Sequence, residues 1–338
     1  MSFELDYTAY LRAKVAIDDE ALNKRVYGSF VSHLEALSVS KSGPLRILEV
    51  AGGIGTMIVR ICRDSPSLLG KKVCYDLVDV KKSNLWSAAE YLRENIVKEG
   101  ETFSVFDGLD SLGSAKEQFG YSIGSHYASS RGDGHISCVL GDLQVNLICS
   151  DGLEYASKNR IYDVVISAAF LDLVDIDSAV MDLSSAMCES SLLYLPINFD
   201  GVTHFEPDVP TCAEEGFASL VEERFHLAMG SPSGYSRSRT GRKLMRSFAR
   251  AEEVSLESFG SSSWAVFPYK GAYKEDEKYF LHSILTFMEE TLRQDDTLDN
   301  RLLSDYIEGR RTQIKNAQLF YLAHNVDYLA VKSLPSKA

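Results

Sequence analysis

Leu45-Arg-Ile-Leu-Glu-Val-Ala-Gly-Gly-Ile-Gly-Thr56 is the stretch that decides the fold. Its first half, Leu45–Val50, is an apolar run of strand length with a β-branched bias, closed by small residues. That pattern fits a buried parallel strand better than a half-exposed one. Ala51, Gly52, Gly53 and Gly55 then form a turn almost without side chains, and Met57, Ile58 and Ile61 follow at helical spacing. The expectation is strand, glycine turn, helix. Such a turn lets a ligand approach the backbone closely and aims a helix N-terminus at it. Glu49, at the end of the strand, adds a fixed negative charge beside that turn.

A dinucleotide fingerprint needs a third glycine, three residues after the second, for close helix packing. Counted from Gly53 and Gly55, that place holds Ile58, so the fingerprint is broken. An acid just ahead of the glycines has no obvious use beside a pyrophosphate, whereas it suits a cationic ligand. The segment from Glu49 to Gly55 instead resembles the first motif of the class I S-adenosylmethionine-dependent methyltransferases, acid-x-Gly-x-Gly-x-Gly, with Ala51 in the place of the first glycine. Taken alone, this motif also fits a tight strand–helix turn in another α/β protein.

Composition narrows the classes. At 338 residues the chain can bury a sizeable core, and 45% hydrophobic with 25% charged residues is ordinary for a globular protein. No apolar run approaches membrane-spanning length, and the N-terminus Met-Ser-Phe-Glu-Leu-Asp lacks the basic start of a signal peptide, so a cytoplasmic chain without membrane contact is expected. Six scattered cysteines without a Cys-x-x-Cys pair read as reduced thiols, and no metal site is expected. A net charge of −13 opposes wholesale wrapping of nucleic acid, though not a local basic site.

Residues 1–44 read as a helical cap: Leu22, Val26, Phe30 and Leu34 recur every fourth residue, with Asp18 or Asp19 as the start. Core packing is the favoured role for that stripe; lying over a cofactor is the other. Residues 73–80 read as a second strand with Asp79 near its end, 24 residues beyond Gly55. An acid about 20 residues on accepts ribose hydroxyls in nucleoside-binding α/β folds, and Asp76 is a weaker candidate. Residues 83–98 read as a helix. Residues 100–141, studded with Gly and Ser, read as a lid or insertion, closed by a hairpin whose turn is Gly141-Asp142. Strands follow over residues 143–148, 162–168, 191–197 and 253–267, with a final strand or pair over 319–331. His324 and Asn325 there suggest a bulge or buried hydrogen bond.

The resemblance implies a doubly wound α/β fold with a mainly parallel seven-stranded sheet, Rossmann-like, with helical additions. The methyltransferase domain would span 45–338, with the insertion at 100–141 and substrate-side additions at 200–318. It also implies S-adenosylmethionine as cofactor. Glu49, Ala51, Gly52, Gly53 and Gly55 would meet the methionyl end, Asp79 the ribose, and Asp151 with Gly152 the adenine; Ala168 and Phe170 would line the pocket. Asp151 also reads as an N-cap. The segment after the fifth strand carries Asn198, Asp200, His204 and Glu206 to the substrate side; Asp200 and His204 are the expected catalytic groups and Asn198 a substrate ligand. Arg237, Arg239, Arg242, Lys243, Arg246 and Arg250 crowd a stretch free of acids, so Arg239 and Arg242 are expected to grip an anionic acceptor, or else to form a solvated helix face. The expected activity is methyl transfer to a small molecule. The alternatives are an RNA or protein methyltransferase and a non-catalytic protein that binds the cofactor. Oligomeric state is not written in the sequence.

Overall fold

In the computed structural model, which describes residues 5–99, 101–107, 135–209, 216–229 and 237–332, Leu45–Val50 is the central strand β1. The other strands are β2 (Val73–Asp79), β3 (Phe103–Asp107), β4 (His135–Leu140), β5 (Leu143–Cys149), β6 (Tyr162–Ile166), β7 (Met187–Glu206), β8 (Val254–Val266) and β9 (Phe320–Lys332). Among the described residues these form one nine-stranded sheet, ordered β3-β4-β5-β2-β1-β6-β7-β9-β8.

The expected seven strands are therefore corrected to nine. The stretch 103–107, read as part of a Gly/Ser-rich insertion, pairs antiparallel with β4, and β4 pairs antiparallel with β5 through the two-residue turn at Gly141-Asp142. Parallel pairing is confined to the five central strands, β5-β2-β1-β6-β7; the pairs at both flanks are antiparallel. The remainder of the suggested insertion, 108–134, lies outside the described residues.

The helices are α1 (Tyr7–Ala21), α2 (Lys24–Ser40), α3 (Thr56–Asp64), α4 (Lys82–Ile96), α5 (Gly152–Lys158), α6 (Ile176–Ser185), α7 (Phe217–Ala228), α8 (Thr240–Arg250), α9 (Glu275–Leu292) and α10 (Asn300–Lys315). Alternation along β1 sorts the layers: Leu45 and Ile47 face one side, Leu48 and Val50 the other. The first side is covered by α2, α3 and α4, and the second by α5, α6 and α8. The stripe Val26, Phe30 and Leu34 is fully buried in α2, where Phe30 stacks on Tyr194 of β7 with centroids 4.3 Å apart. Its role is core packing, with about 1.5–3 kcal/mol from each large side chain.

The cap of α2 is Asn23, which accepts from the Val26 N–H, and not Asp18 or Asp19; those two belong to a separate helix, α1. There Asp19 pairs with Arg60 of α3, whose guanidinium also donates to the Val15 carbonyl at 3.0 Å. The fifth strand also runs beyond 197. β7 continues to Glu206, through two bulges, along β9. These long ends of β7, β8 and β9 carry a third core with α7, α9 and α10, including Phe205, Phe280, Tyr306 and Tyr321.

Candidate functional site

The turn after β1 is tight. Ala51, Gly53 and Gly55 all have positive φ (56°, 56° and 76°), and a Cβ on Gly52 would sit 2.5 Å from Leu77 Cγ. Gly55 is the N-cap of α3 and offers no side chain to its first-turn N–H groups, which leaves that helix end available to a ligand. Glu49 is only 2% exposed. Its one hydrogen-bond partner is the Tyr75 hydroxyl, which donates to Oε2 at 2.7 Å, and it makes no ion pair among the described residues. Burial pushes its carboxyl up from 4.5 to about 7, against the opposing pulls of the Tyr75 bond and Arg60.

Asp79, at the end of β2, closes onto this turn. Its Oδ2 accepts the Gly53 N–H at 3.0 Å, and Oδ1 accepts the Lys81 N–H at 2.8 Å and Asn84 Nδ2 at 3.1 Å. Asp76 points elsewhere and accepts from Asn146 and the Tyr162 hydroxyl inside the sheet, both at 2.6 Å. Asp151 is exposed at the end of β5, and its Oδ1 caps α5 through the N–H groups of Leu153 and Glu154. Gly152 lies against β1, where a Cβ would meet Val50 Cγ1 at 2.4 Å. Ala168, Ala169 (φ 50°) and Phe170 follow β6, half-buried. These groups gather at the carboxyl ends of four adjacent parallel strands. The chain order reverses between β1 and β6, where open α/β sheets bind ligands.

α1 lies over this crevice. Leu11 comes within 3.5 Å of where a Gly53 Cβ would be. Lys81 Nζ sits 3.7 Å from the centroid of the Tyr7 ring, and the Tyr7 hydroxyl is pushed up by burial and then by the charges of Asp79 and Asp172. Tyr7, Tyr10, Leu11 and Lys14 recur at i, i+3, i+4 and i+7, a spacing that could have announced this face from the sequence.

Beyond Ala169 and Asp172 opens a cavity of about 620 Å³ between α1, α7, α9 and the sheet. Its rings include Tyr10, Phe199, Phe225, Trp264, Phe287 and Tyr321. Trp264 is held by its indole N–H, which donates to Asn325 Oδ1 at 2.8 Å, the buried hydrogen bond expected of Asn325. Asp172, which follows β6, thus faces this cavity. A larger cavity of about 1000 Å³ beside α10 borrows no residue from the glycine turn or from the ends of the parallel strands β5, β2, β1 and β6.

The other expected substrate-side groups do not line the aromatic cavity. Asn198 is buried and donates to the carbonyls of Leu195 and Val326, bracing the bulge of β7. Asp200 is taken by Arg242, whose Nε and Nη2 donate to it at 2.9 and 3.0 Å, with the Arg242 N–H adding a bond at 2.8 Å. His204 bridges Glu222 and Glu206 at 3.0 and 2.9 Å, and these carboxylates, Glu222 foremost, raise its pKa. Arg239 is exposed ahead of α8, and the Arg237 side chain lies outside the described residues. Among the described residues no three His, Cys, Asp or Glu side chains cluster as metal ligands, and no helix is long and apolar enough to cross a membrane.

No protein-family model matches the chain, and no curated protein is a significant match. Among solved structures it is similar to an S-adenosylmethionine-dependent methyltransferase from Thiobacillus denitrificans in complex with S-adenosyl-L-homocysteine, at 11% identity, covering 98% of this chain and 100% of that one, with a TM-score of 0.43. It is also similar to coclaurine N-methyltransferase bound to N-methylheliamine and SAH, at 11% identity over 90% and 72% of the two chains, TM-score 0.41. A third is the plantazolicin methyltransferase BpumL in complex with a pentazolic desmethylPZN analog and SAH, at 13% identity over 96% and 91%, TM-score 0.37. At these identities what the chain does rests on its own residues.

Proposed function

We propose that the chain is a class I S-adenosylmethionine-dependent methyltransferase acting on a small acceptor held in the aromatic cavity. The observation that carries this is Glu49: a carboxyl buried beside a glycine turn, with a tyrosine hydroxyl as partner and no ion pair among the described residues. Burying a charge costs heavily unless a partner compensates it, so such a site suits a ligand that brings a positive charge. A pyrophosphate would meet this carboxylate with the wrong sign. Ile58, buried to 1% exposure, fills the place where a dinucleotide site needs glycine.

The residues fit the cofactor. Glu49 and the turn from Ala51 to Gly55 would hold its methionyl end, Asp79 its ribose hydroxyls, and the Asp151–Gly152 corner its adenine. When bound, S-adenosylmethionine supplies an electrophilic methyl group on a sulfonium. The chain's own work is alignment and exclusion of water: α1 covers the crevice with Tyr7 and Leu11, while the rings behind Ala169 seat the acceptor. Alignment of this kind can supply about 7–11 kcal/mol in favourable cases. Arg242 is engaged by Asp200, and neither it nor Arg239 lines the cavity, so the arginine segment lends no support to an anionic acceptor held there.

Calorimetry with S-adenosylhomocysteine and with NAD tests the cofactor. Micromolar binding of the first, on the scale of about −8 kcal/mol, is expected. Binding of NAD with none of S-adenosylhomocysteine overturns the reading.

A further inference from the structure

We infer that the methyl acceptor is a ring-bearing small molecule without negative charge, and that the wall formed by Trp264, Tyr10 and Phe287 selects it. This rests on the methyltransferase reading for the reaction, but the preference belongs to the cavity alone. A volume of about 620 Å³ falls within the range of small-molecule sites, roughly 300–1,000 Å³. Its rings are locked against one another before any ligand arrives. Tyr10 stacks on Phe280 at 6.2 Å and meets Phe287 edge-on at 5.3 Å. Trp264 tilts against Phe280 at 5.9 Å and Tyr321 at 5.5 Å, and its indole N–H is held by Asn325. Rings so fixed lose little freedom when a guest ring packs among them, and they favour offset and edge-on contacts with it.

Charge gives the second half of the inference. Of the side chains along the cavity, the cation is Lys14 and the anion is Asp172. Lys14 is already bound to Asp18, one turn along α1, so its charge is spent and the Asp172 carboxylate sets the sign of the wall. An anionic guest would lose its water among aromatic rings and meet a charge of its own sign. A neutral ring loses none of that hydration energy. Ala169 and Asp172, which line the cavity, follow the end of β6 beside the cofactor crevice, so a ring seated here can present a hydroxyl or amine toward it.

Two naphthalene probes substituted at the same ring position test this: neutral 2-naphthol and anionic 2-naphthoate, titrated by calorimetry at pH 7.5. The protein is loaded with S-adenosylhomocysteine, and a parallel series uses protein without it. The expectation is that 2-naphthol binds at least tenfold more tightly than 2-naphthoate. Phe287→Ala should weaken it tenfold or more with S-adenosylhomocysteine affinity held within twofold. Ala228→Trp, on an exposed position at the cavity rim, should do the same without disturbing the core. Equal or tighter binding of 2-naphthoate, or no binding of 2-naphthol in either series, overturns the inference. Loss of S-adenosylhomocysteine binding with naphthol selectivity intact would instead strike the cofactor reading and leave this one standing.

Discussion

Replacing Glu49 by Gln separates what this carboxyl costs the fold from what it contributes to binding. The climb of its pKa from 4.5 to about 7 corresponds, at 1.36 kcal/mol per pH unit, to about 3 kcal/mol. The sign follows from proton counting. Below pH 4.5 the group is protonated whether folded or unfolded. Between 4.5 and 7 the unfolded chain releases the proton while the folded chain keeps it, so stability falls as pH rises; above 7 the full cost is present. Gln carries no charge and keeps the Tyr75 hydrogen bond, so the variant should be more stable than the parent by about 1–3 kcal/mol at pH 8 and little different at pH 4.5. Binding should move the opposite way. A cationic cofactor needs the ionised form, so parent affinity for S-adenosylmethionine should drop about tenfold from its plateau by pH 6. The Gln variant should bind weakly, with no such dependence. Urea unfolding at the two pH values and calorimetry from pH 5.5 to 8.5 read both effects. A variant that matches the parent in affinity and in pH profile would remove Glu49 from the cofactor site and with it the main support for methyl transfer.

Asp79→Ala should weaken S-adenosylhomocysteine by about 1–3 kcal/mol, the loss expected for a charged acceptor, as measured by calorimetry. Because Asp79 also ties Gly53 to the start of α4, a lower urea midpoint should accompany it. Arg242→Ala should cost about 1–2 kcal/mol of stability, since it strips a nearly buried Asp200 of its ion pair, yet leave the Michaelis constant of the acceptor unchanged. Steady-state kinetics showing a large rise in that constant would return the arginine to the substrate site. Ala51→Gly should raise stability by up to about 1 kcal/mol by relieving a left-handed alanine, partly offset by the freedom glycine has when unfolded; chemical denaturation would show it.

The arrangement proposed to hold the cofactor was legible because it is built from backbone. A turn that approaches a ligand needs small residues at fixed spacing and acids at strand ends, and Glu49, Gly52, Gly53, Asp79 and Asp151 obey that locally. The acceptor half is built from side chains that meet only after folding. Tyr10, Phe199, Trp264, Phe287 and Tyr321 come from five separate elements, and of these Tyr10 alone sits in a local series, the helical spacing it shares with Tyr7, Leu11 and Lys14. α1 escaped because the face it turns to the crevice and cavity is aromatic and polar rather than an aliphatic stripe; its buried residues are Ala13, Ile17 and Ala21. β3 escaped because it lies in a segment whose glycines and serines read as loop.

The misplacement of Asp200 and His204 has a more specific cause. As a loop, the stretch after Ile197 could have turned any of its polar side chains toward the acceptor. As a strand it can turn only alternate ones. β7 sends Phe199 into the cavity and its neighbours Asn198 and Asp200 to the opposite face, where α8 comes close because Gly241 has no side chain; a Cβ there would meet Asp200 Cβ and Val326 Cγ2 at 2.9 Å. The bulge between Phe199 and Thr203 adds two residues and so keeps the phase: Thr203 lines the cavity, Phe205 enters the third core, and His204 is left to its two glutamates. The polarity that looked catalytic is thus on side chains that a sheet strand turns away from the cavity. On the proposed reading, rings and a covering helix would bring the reacting groups together, which suits a reaction that asks chiefly for alignment in a dry site.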